Sequence, residues 1–491
     1  MQHATQNTPR RESAMSGTAR TFAAEMLVVP SGLLVAALLS RRLSLEDYGV
    51  FTLAITFVTW LEWSLSSLFA RSTVMLVSEA NASQTNTTNE VAATVLRVSA
   101  ATGIFAALVL AACAEWIANV LREPRLVTPL RLLALDIPLF CVSQAYRNIL
   151  IALGKFGARA TASAIRWIAR ALLIAAFVVA GLGVEGAIWG AIGASICELA
   201  FCRWKVPFAV SRSSLPARDL WQMALPLLCC ALILRVFDKI DLFMLSGMGA
   251  TTDVAALYGA AQNLALAPGI FTLAFAPMLL AAIARTQRAG DTTRALSQSR
   301  DALRAVFLLT PFAALVSATS PQIVVWLFGA RFAPAAPVLA LLLWAATALA
   351  LISVCNALLL AFNKVAWALG LLLPLVFLTP LAHTFVIPIH GAIGAASVTL
   401  VLAAACALMN VFAVRKLCSV TIPTLTVLRA AVVSAMIYAS ASFVSGEGVW
   451  LVPQLLVFTI LIGALLLILG EWQPHEKARL KALLHLKRQS G

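Results

Sequence analysis

The sequence predicts an all-α polytopic membrane protein with about fourteen transmembrane helices, arranged as two six-helix repeats and a C-terminal helix pair. Composition predicts it first: of 491 residues 61% are hydrophobic and 12% charged, more apolar surface than a soluble domain can bury. Periodic apolar runs predict it second, because each has about the twenty residues that a helix needs to cross a bilayer. Short motifs repeated in the same order at nearly one offset predict the twofold plan. No intervening stretch is long enough for a soluble enzymatic or nucleic-acid-binding domain. The formal charge of +15 therefore belongs to loops that set topology.

The polar tail 1–20 carries Arg10, Arg11 and Arg20. The first apolar run, about 22–40, ends in Arg41-Arg42 without a small-residue cleavage pattern, so it reads as a retained span. Pro30-Ser31-Gly32 predicts a bend in it, with Glu25 nearby. Further runs fall at about 49–77, 94–118, 128–153, 161–182, 185–209, 221–246, 254–283, 303–328, 335–362, 365–386, 390–414, 425–444 and 449–470. The joint at Asn363-Lys364 and the short last pair leave twelve or thirteen spans open. Runs this long can satisfy their backbone in lipid only as helices. The organisation that follows is an N-terminal lobe 21–210, a linker 211–219, a second lobe 220–416 and an added pair 417–470. The basic tail 471–491 reads as a short helix on an anionic leaflet.

Three matches carry the repeat. Tyr258-Gly259 lies 210 positions after Tyr48-Gly49. Lys364, closing Asn356-Ala-Leu-Leu-Leu-Ala-Phe-Asn-Lys364, lies 209 after Lys155, which closes Asn148-Ile-Leu-Ile-Ala-Leu-Gly-Lys155. Gly391-Ala-Ile lies 205 after Gly186-Ala-Ile. A six-span unit returns to its starting side, so the repeats are parallel, and repeated membrane folds place their substrate site where the repeats meet.

With fourteen spans, 26 Lys/Arg fall on the side of the termini and six on the other, which puts both termini in the cytoplasm. Arg159, Arg166, Arg170 and Arg304 are counted here as charges of the cytoplasmic connections. Asn81-Ala-Ser83 and Asn86-Thr-Thr88 match glycosylation acceptors but fall in a connection, 78–93, on that same side. The nine cysteines sit mostly in apolar runs without metal-ligand spacing, so they read as small hydrophobes, with neither metal nor cofactor implied.

Charges inside spans are the candidate site, since each costs roughly 2.5–3.5 kcal/mol at the bilayer centre unless it faces protein or a wet cavity. Arg235, Asp238 and Lys239 share one side of a helix, with Asp241 beside Asp238. Two readings stay open for them: a self-neutralised seam, or groups that meet a cargo. The intramembrane cations are Arg71, Arg147, Arg235 and Lys239; Arg147, near a span end, is expected to snorkel to the headgroups. The carboxylates Glu25, Glu62, Asp136, Asp238 and Asp241, with Glu198, serve either ion coupling or structural pairing. Trp60, Trp63 and Trp189 are sugar-stacking candidates or interface anchors.

Leu43-Ser-Leu-Glu-Asp-Tyr-Gly-Val-Phe51, Asp238-Lys-Ile-Asp-Leu-Phe-Met-Leu245 and Leu257-Tyr-Gly-Ala260 resemble the polysaccharide transporter branch of the multidrug/oligosaccharidyl-lipid/polysaccharide (MOP) exporter superfamily, the O-antigen and exopolysaccharide flippases. The likeness spans essentially the whole chain. It implies a bacterial inner-membrane protein that moves an undecaprenyl-diphosphate-linked oligosaccharide between leaflets by alternating access of two six-helix lobes. Such a cargo implies Arg71, Arg235, Lys239 and Arg147 as a cationic cavity for the diphosphate, arginine offering a two-donor fork and lysine a point charge. Its implied partners are the lipid-linked oligosaccharide, membrane lipids and polysaccharide polymerase or export machinery, with no nucleic acid. The alternatives are a multidrug exporter or peptidoglycan-precursor flippase of the same superfamily, and a membrane glycosyltransferase or polymerase. Against an enzyme, the acid pair Glu46-Asp47 has only Asp253 as its counterpart before Tyr258, and first-turn acids simply complement a helix dipole.

Overall fold

Helix accounts for nearly every described residue of the computed structural model, and no strand occurs among them. The description covers residues 24–82, 87–206, 239–444, 446 and 448–471, with the side chains of 67–69, 71, 81–82, 87, 267–274, 277, 281 and 449 outside it. Eleven stretches among these residues are long and apolar enough to cross a membrane. Most of the run expected at 221–246, with the linker 211–219 and the tail after 471, lies outside the described residues. The chain divides into two compact units, 1–259 and 260–491. Residues 239–259, which the repeat assigns to the second lobe, thus belong with the first unit.

The first unit runs through α1 (Val28–Arg42), α2 (Leu45–Ala82), α3 (Thr87–Val120), α4 (Val127–Leu133), α5 (Asp136–Ala152), α6 (Phe156–Val179), α7 (Gly183–Lys205), α8 (Ile240–Gly247) and the first turns of α9 (Thr252–Ala265). Among the described residues, the helical residues 24–26 lead into α1 across a break at Leu27. Pro30 explains the break, for it lacks the N–H that would bond the carbonyl of Met26 and its ring crowds that carbonyl. The Ser31 hydroxyl donates instead to the carbonyls of Leu27 and Val28 at 2.6 and 3.2 Å. Helices α2 and α3 extend into the expected 78–93 connection from both ends. Three-residue links between α5 and α6 and between α6 and α7 make these helices antiparallel neighbours. Val77, Ile149, Leu150, Ala162 and Cys202 form the core that α2, α5, α6 and α7 share.

The Tyr-Gly motifs mark a helix crossing. A Cβ on Gly49 would stand 2.3 Å from the carbonyl oxygen of Thr252, and one on Gly259 would stand 2.2 Å from Cγ2 of Thr52. Only glycine allows α2 and α9 to approach this closely, and it does so once on each helix. Tyr48 and Tyr258, both buried, flank the contact, and the Tyr258 hydroxyl donates to Asp241 at 2.6 Å.

The second unit continues with α10 (Ala267–Arg288), α11 (Thr292–Phe307), α12 (Thr310–Ala318), α13 (Ser320–Phe328), α14 (Ala336–Ala361), α15 (Val365–Cys418), α16 (Thr424–Phe443) and α17 (Leu451–Ile468). Asp291 caps α11, accepting from the backbone N–H of Arg294 and the hydroxyl of Thr293, which holds its carboxyl below the usual range. The span expected at 303–328 is broken into three by Pro311 and Pro321, each in a first helical turn where proline is tolerated. Helix α15, 54 residues and about 80 Å along its path, is more than twice what a bilayer requires. It turns at Gly391, whose φ of 54° and ψ of −135° suit a residue without Cβ. Ile283, Leu303, Val354, Leu358 and Val414 centre the core of this unit. The added pair α16–α17 packs on α12 through Leu315, Val433, Ile437 and Ile462. Glu471 ties that pair down, accepting from Arg304 at 2.6 Å, Arg429 at 3.0 Å and Thr426 at 2.6 Å.

Candidate functional site

Helix α6 presents Arg159, Ser163, Arg166 and Arg170 at spacings of four, three and four, so these residues line one face. Helix α7 answers with Ser195 and Glu198. The hairpin link between the two helices brings the faces together, with α1, α2 and α5 closing around them.

Arg166, 4% exposed, donates to Ser195 at 2.9 Å and to Glu198 at 3.2 Å. Its other terminal nitrogen stands 4.0 Å from both Glu62 on α2 and Asp136 on α5. Its guanidinium lies 4.6 Å from the ring centre of Phe140, which Trp63 meets edge-on. Glu62 and Asp136 are close enough to share a hydrogen bond, and Arg170 lies within electrostatic reach of both. Glu198 also approaches Nε of Arg147 at 3.3 Å. Arg147 donates to Ser163 at 3.2 Å, and Ser163 donates to Glu25 at 2.9 Å. Arg159 reaches the same Glu25 oxygen at 3.4 Å.

Four guanidiniums thus face four carboxylates in the interior of one unit: Arg147, Arg159, Arg166 and Arg170 against Glu25, Glu62, Asp136 and Glu198. Burial at this depth is tolerated because the charges are paired. The hydrogen bonding is incomplete, however. Glu62 Oε1, Asp136 Oδ1, Arg147 Nη2, Arg159 Nε and Arg166 Nε are buried without a partner. One helical turn along α2 from Glu62, Ser66 lines a small cavity with Ser99, Thr102, Cys141, Gln144 and Asn148, with room for about one water molecule.

This arrangement corrects two expectations. Arg147 does not snorkel: at 2% exposure it is locked between Glu198 and Ser163. Arg166 and Arg170 are not charges of a connection, because α6 begins at Phe156 and carries them into the protein interior. Arg304 likewise is buried on Glu471. Among the sequence candidates, Glu25, Glu62, Asp136 and Arg147 meet in one network. Asp241 is apart from it, buried and bonded to Tyr258 and to the N–H of Leu242. Lys239 precedes α8. Arg235, Asp238 and the side chain of Arg71 lie outside the described residues. Trp189 is exposed on α7, whereas Trp63 belongs to the packing under Arg166. No group of His, Cys, Asp and Glu suited to a metal ion occurs among the described residues.

Comparison with known proteins accords with this architecture. A family model described as a polysaccharide biosynthesis protein matches residues 38–337. No curated protein matches the chain in sequence. Among solved structures, the lipid II flippase MurJ in an inward-closed conformation aligns with a TM-score of 0.75 at 16% identity, over 93% of this chain and 98% of that one. A multidrug resistance MATE family transporter of the MOP superfamily, inward-facing, aligns at 0.70 and 14%, over 82% and 98%. A MOP superfamily transporter from Pyrococcus furiosus, described as having a binding pocket of reverse polarity, aligns at 0.62 and 14%, over 83% and 97%. These likenesses establish a shared fold.

Proposed function

Since the chain belongs to the polysaccharide biosynthesis protein family, within the MOP superfamily, we propose that it is a flippase for an undecaprenyl-diphosphate-linked oligosaccharide, an O-antigen or exopolysaccharide repeat unit. In this reading it works by alternating access in the bacterial inner membrane, both termini cytoplasmic, beside polysaccharide polymerase and export machinery. The observation that carries the reading is the family match over 300 residues; the buried arginine network supports it, because an anionic headgroup needs fixed cations.

Arg71, Arg147, Arg235 and Lys239 are the proposed contacts of the diphosphate. Glu62 and Asp136 are the proposed coupling-ion site: two adjacent carboxylates can hold a proton or a monovalent cation between them, and Arg166 and Arg170 supply the compensating charge when it leaves. Glu25 and Asp241 have the pairing role, Glu25 with arginines and Asp241 with Tyr258.

The test is complementation of a strain lacking its polysaccharide flippase, with wild type, Arg71→Ala, Arg147→Ala and Arg235→Ala compared at equal membrane levels. Wild type is expected to restore surface glycan and the arginine variants to fail. If wild type restores nothing in several glycan backgrounds but lowers sensitivity to cationic drugs, the multidrug reading replaces this one. Restoration of growth after loss of the lipid II flippase would favour a peptidoglycan precursor instead.

A further inference from the structure

The end of the network at Glu25 is built differently from the rest. Two guanidiniums and a hydroxyl converge on one carboxylate oxygen: Ser163 donates to Glu25 Oε1 at 2.9 Å, with Arg159 at 3.4 Å and Arg147 at 3.8 Å. At the last two distances neither arginine makes a close ion pair, and Arg147 Nη2 and Arg159 Nε remain buried without an acceptor. A carboxylate has too few oxygens, too far away, for the donors gathered around it. A phosphate group has more oxygens in a tetrahedral array, and the planar forks of arginine match it.

Glu25 is also the member most readily removed. Its side chain is 32% exposed, against 2% for Arg147 and 0% for Glu198. It lies ahead of the break at Leu27, where Pro30 leaves the carbonyl of Met26 without its helical partner. Charge balance points the same way. With Glu25 in place four carboxylates match four guanidiniums; withdrawing it leaves an excess positive charge next to Arg147 and Arg159.

We propose that Arg147, Arg159 and Ser163 form a binding site for a phosphate or diphosphate group, and that Glu25 occupies it as an internal stand-in which the arriving anion displaces. The proposal rests on the flippase reading only for the natural source of the anion; the site itself follows from the donors around Glu25. Displacement would release residues 24–26 from α6, so that occupancy of the site is communicated to the break ahead of α1.

The experiment uses the full chain in phosphatidylcholine nanodiscs, titrated with inorganic pyrophosphate and followed by calorimetry. Glu25→Ala should bind pyrophosphate about tenfold more tightly than wild type, or about 1.4 kcal/mol. Glu25→Ala/Arg159→Met should lose that gain, and Glu25→Ala/Arg159→Lys should recover part of it, separating the fork from the charge. Glu25→Ala/Arg159→Met keeps local neutrality and Glu25→Ala/Arg159→Lys keeps the charge of Glu25→Ala, so a folding failure of one leaves the other readable. Unchanged affinity in Glu25→Ala, or a gain that survives Arg159→Met, overturns the proposal. Discs doped with a polyprenyl diphosphate or with phosphatidylglycerol tell a cargo from a bulk lipid headgroup: whichever raises the apparent Kd for pyrophosphate in Glu25→Ala is the source. If wild type restores surface glycan but Glu25→Ala binds no tighter, the site fails and the flippase reading stands. If Glu25→Ala binds tighter but wild type moves no lipid-linked glycan, the site stands and that reading fails.

Discussion

The α2–α9 crossing makes a prediction whose sign depends on which atom a new methyl group meets. Gly259→Ala places Cβ 2.2 Å from Cγ2 of Thr52, the end of a side chain that can change rotamer. Gly49→Ala places Cβ 2.3 Å from the carbonyl oxygen of Thr252, a backbone atom that moves only with its helix. Overpacking of this kind costs about 1–3 kcal/mol, and replacing a helical glycine by alanine returns up to about 1 kcal/mol. With that return subtracted, Gly259→Ala should destabilise by about 1 kcal/mol or less, and Gly49→Ala by about 2 kcal/mol. Thr52→Ala removes the first obstacle, so Gly259→Ala added to Thr52→Ala should be neutral or stabilising by up to about 1 kcal/mol. Thr252→Ala removes a methyl group 2.8 Å from the Gly49 position but leaves the oxygen, so it should not rescue Gly49→Ala. The assay is unfolding in mixed micelles by titration with a denaturing detergent, read by tryptophan fluorescence, as a double-mutant cycle for each pair. If the Thr52 cycle shows no coupling, or if Gly49→Ala is tolerated as well as Gly259→Ala, the reciprocal close approach is wrong.

Three further predictions rest on buried polar contacts. Arg166→Met takes the central cation from Glu198, Glu62 and Asp136, and should cost about 3–5 kcal/mol, part of which Arg166→Met/Glu198→Gln recovers in the same unfolding assay. Tyr258→Phe removes the 2.6 Å donor to buried Asp241 and should cost about 1–3 kcal/mol, with Tyr258→Phe/Asp241→Asn costing less than the sum of the two single changes. Burial alone would raise the carboxyl of Glu471, but the hydrogen bonds from Thr426, Arg304 and Arg429 outweigh it and hold the group below the usual glutamate range. Its folded pKa is thus the lower one, so its stabilisation is full above the unfolded value of about 4.3 and is lost as pH falls through the native value. A thermal-melt series from pH 7 downward should show that acid-side loss in wild type and a flatter profile in Glu471→Gln.

The fold was legible because a bilayer imposes one simple demand: enough consecutive apolar residues, with every backbone group satisfied within the helix. Local geometry was legible where proline forces it, as at Pro30. Charge placement was harder to read. Arg166 and Arg170 fall inside the run 161–182 yet were counted with the connection before it, because a basic residue near a span end usually does face the headgroups. The overlooked signal was the regular spacing of Arg159, Ser163, Arg166 and Arg170, which puts them on one helix face opposite Ser195 and Glu198. Nothing in a linear sequence states that α7 would lie against that face. The same gap made Arg147 look free to snorkel, while Glu198, 51 positions away, holds it inside. For Asp241 the choice between an ion pair and another partner could not be made, since its hydrogen bond runs to Tyr258 in the neighbouring motif.

Pairing and function were posed as rival explanations for intramembrane charge, and the geometry of the first unit shows how one network can serve both. Its centre is tight: Arg166 to Glu198 at 3.2 Å and to Ser195 at 2.9 Å, and Glu198 to Arg147 at 3.3 Å. These contacts join α5, α6 and α7, where removing one partner would strand a charge in the interior. Both ends are loose. Glu62 and Asp136 stand 4.0 Å from Arg166, and Glu25 is 3.4 and 3.8 Å from its two arginines, with unused donors or acceptors at each end. A contact that long carries charge attraction without a close hydrogen bond, which an arriving ion can replace, and the unused atoms are available to bind it. A lobe wired in this way keeps its helices together through the centre while its two ends change partners. The proposed cation site at Glu62–Asp136 and the proposed phosphate site at Arg147–Arg159 fall at those two ends, joined through Glu198 by a chain of four contacts.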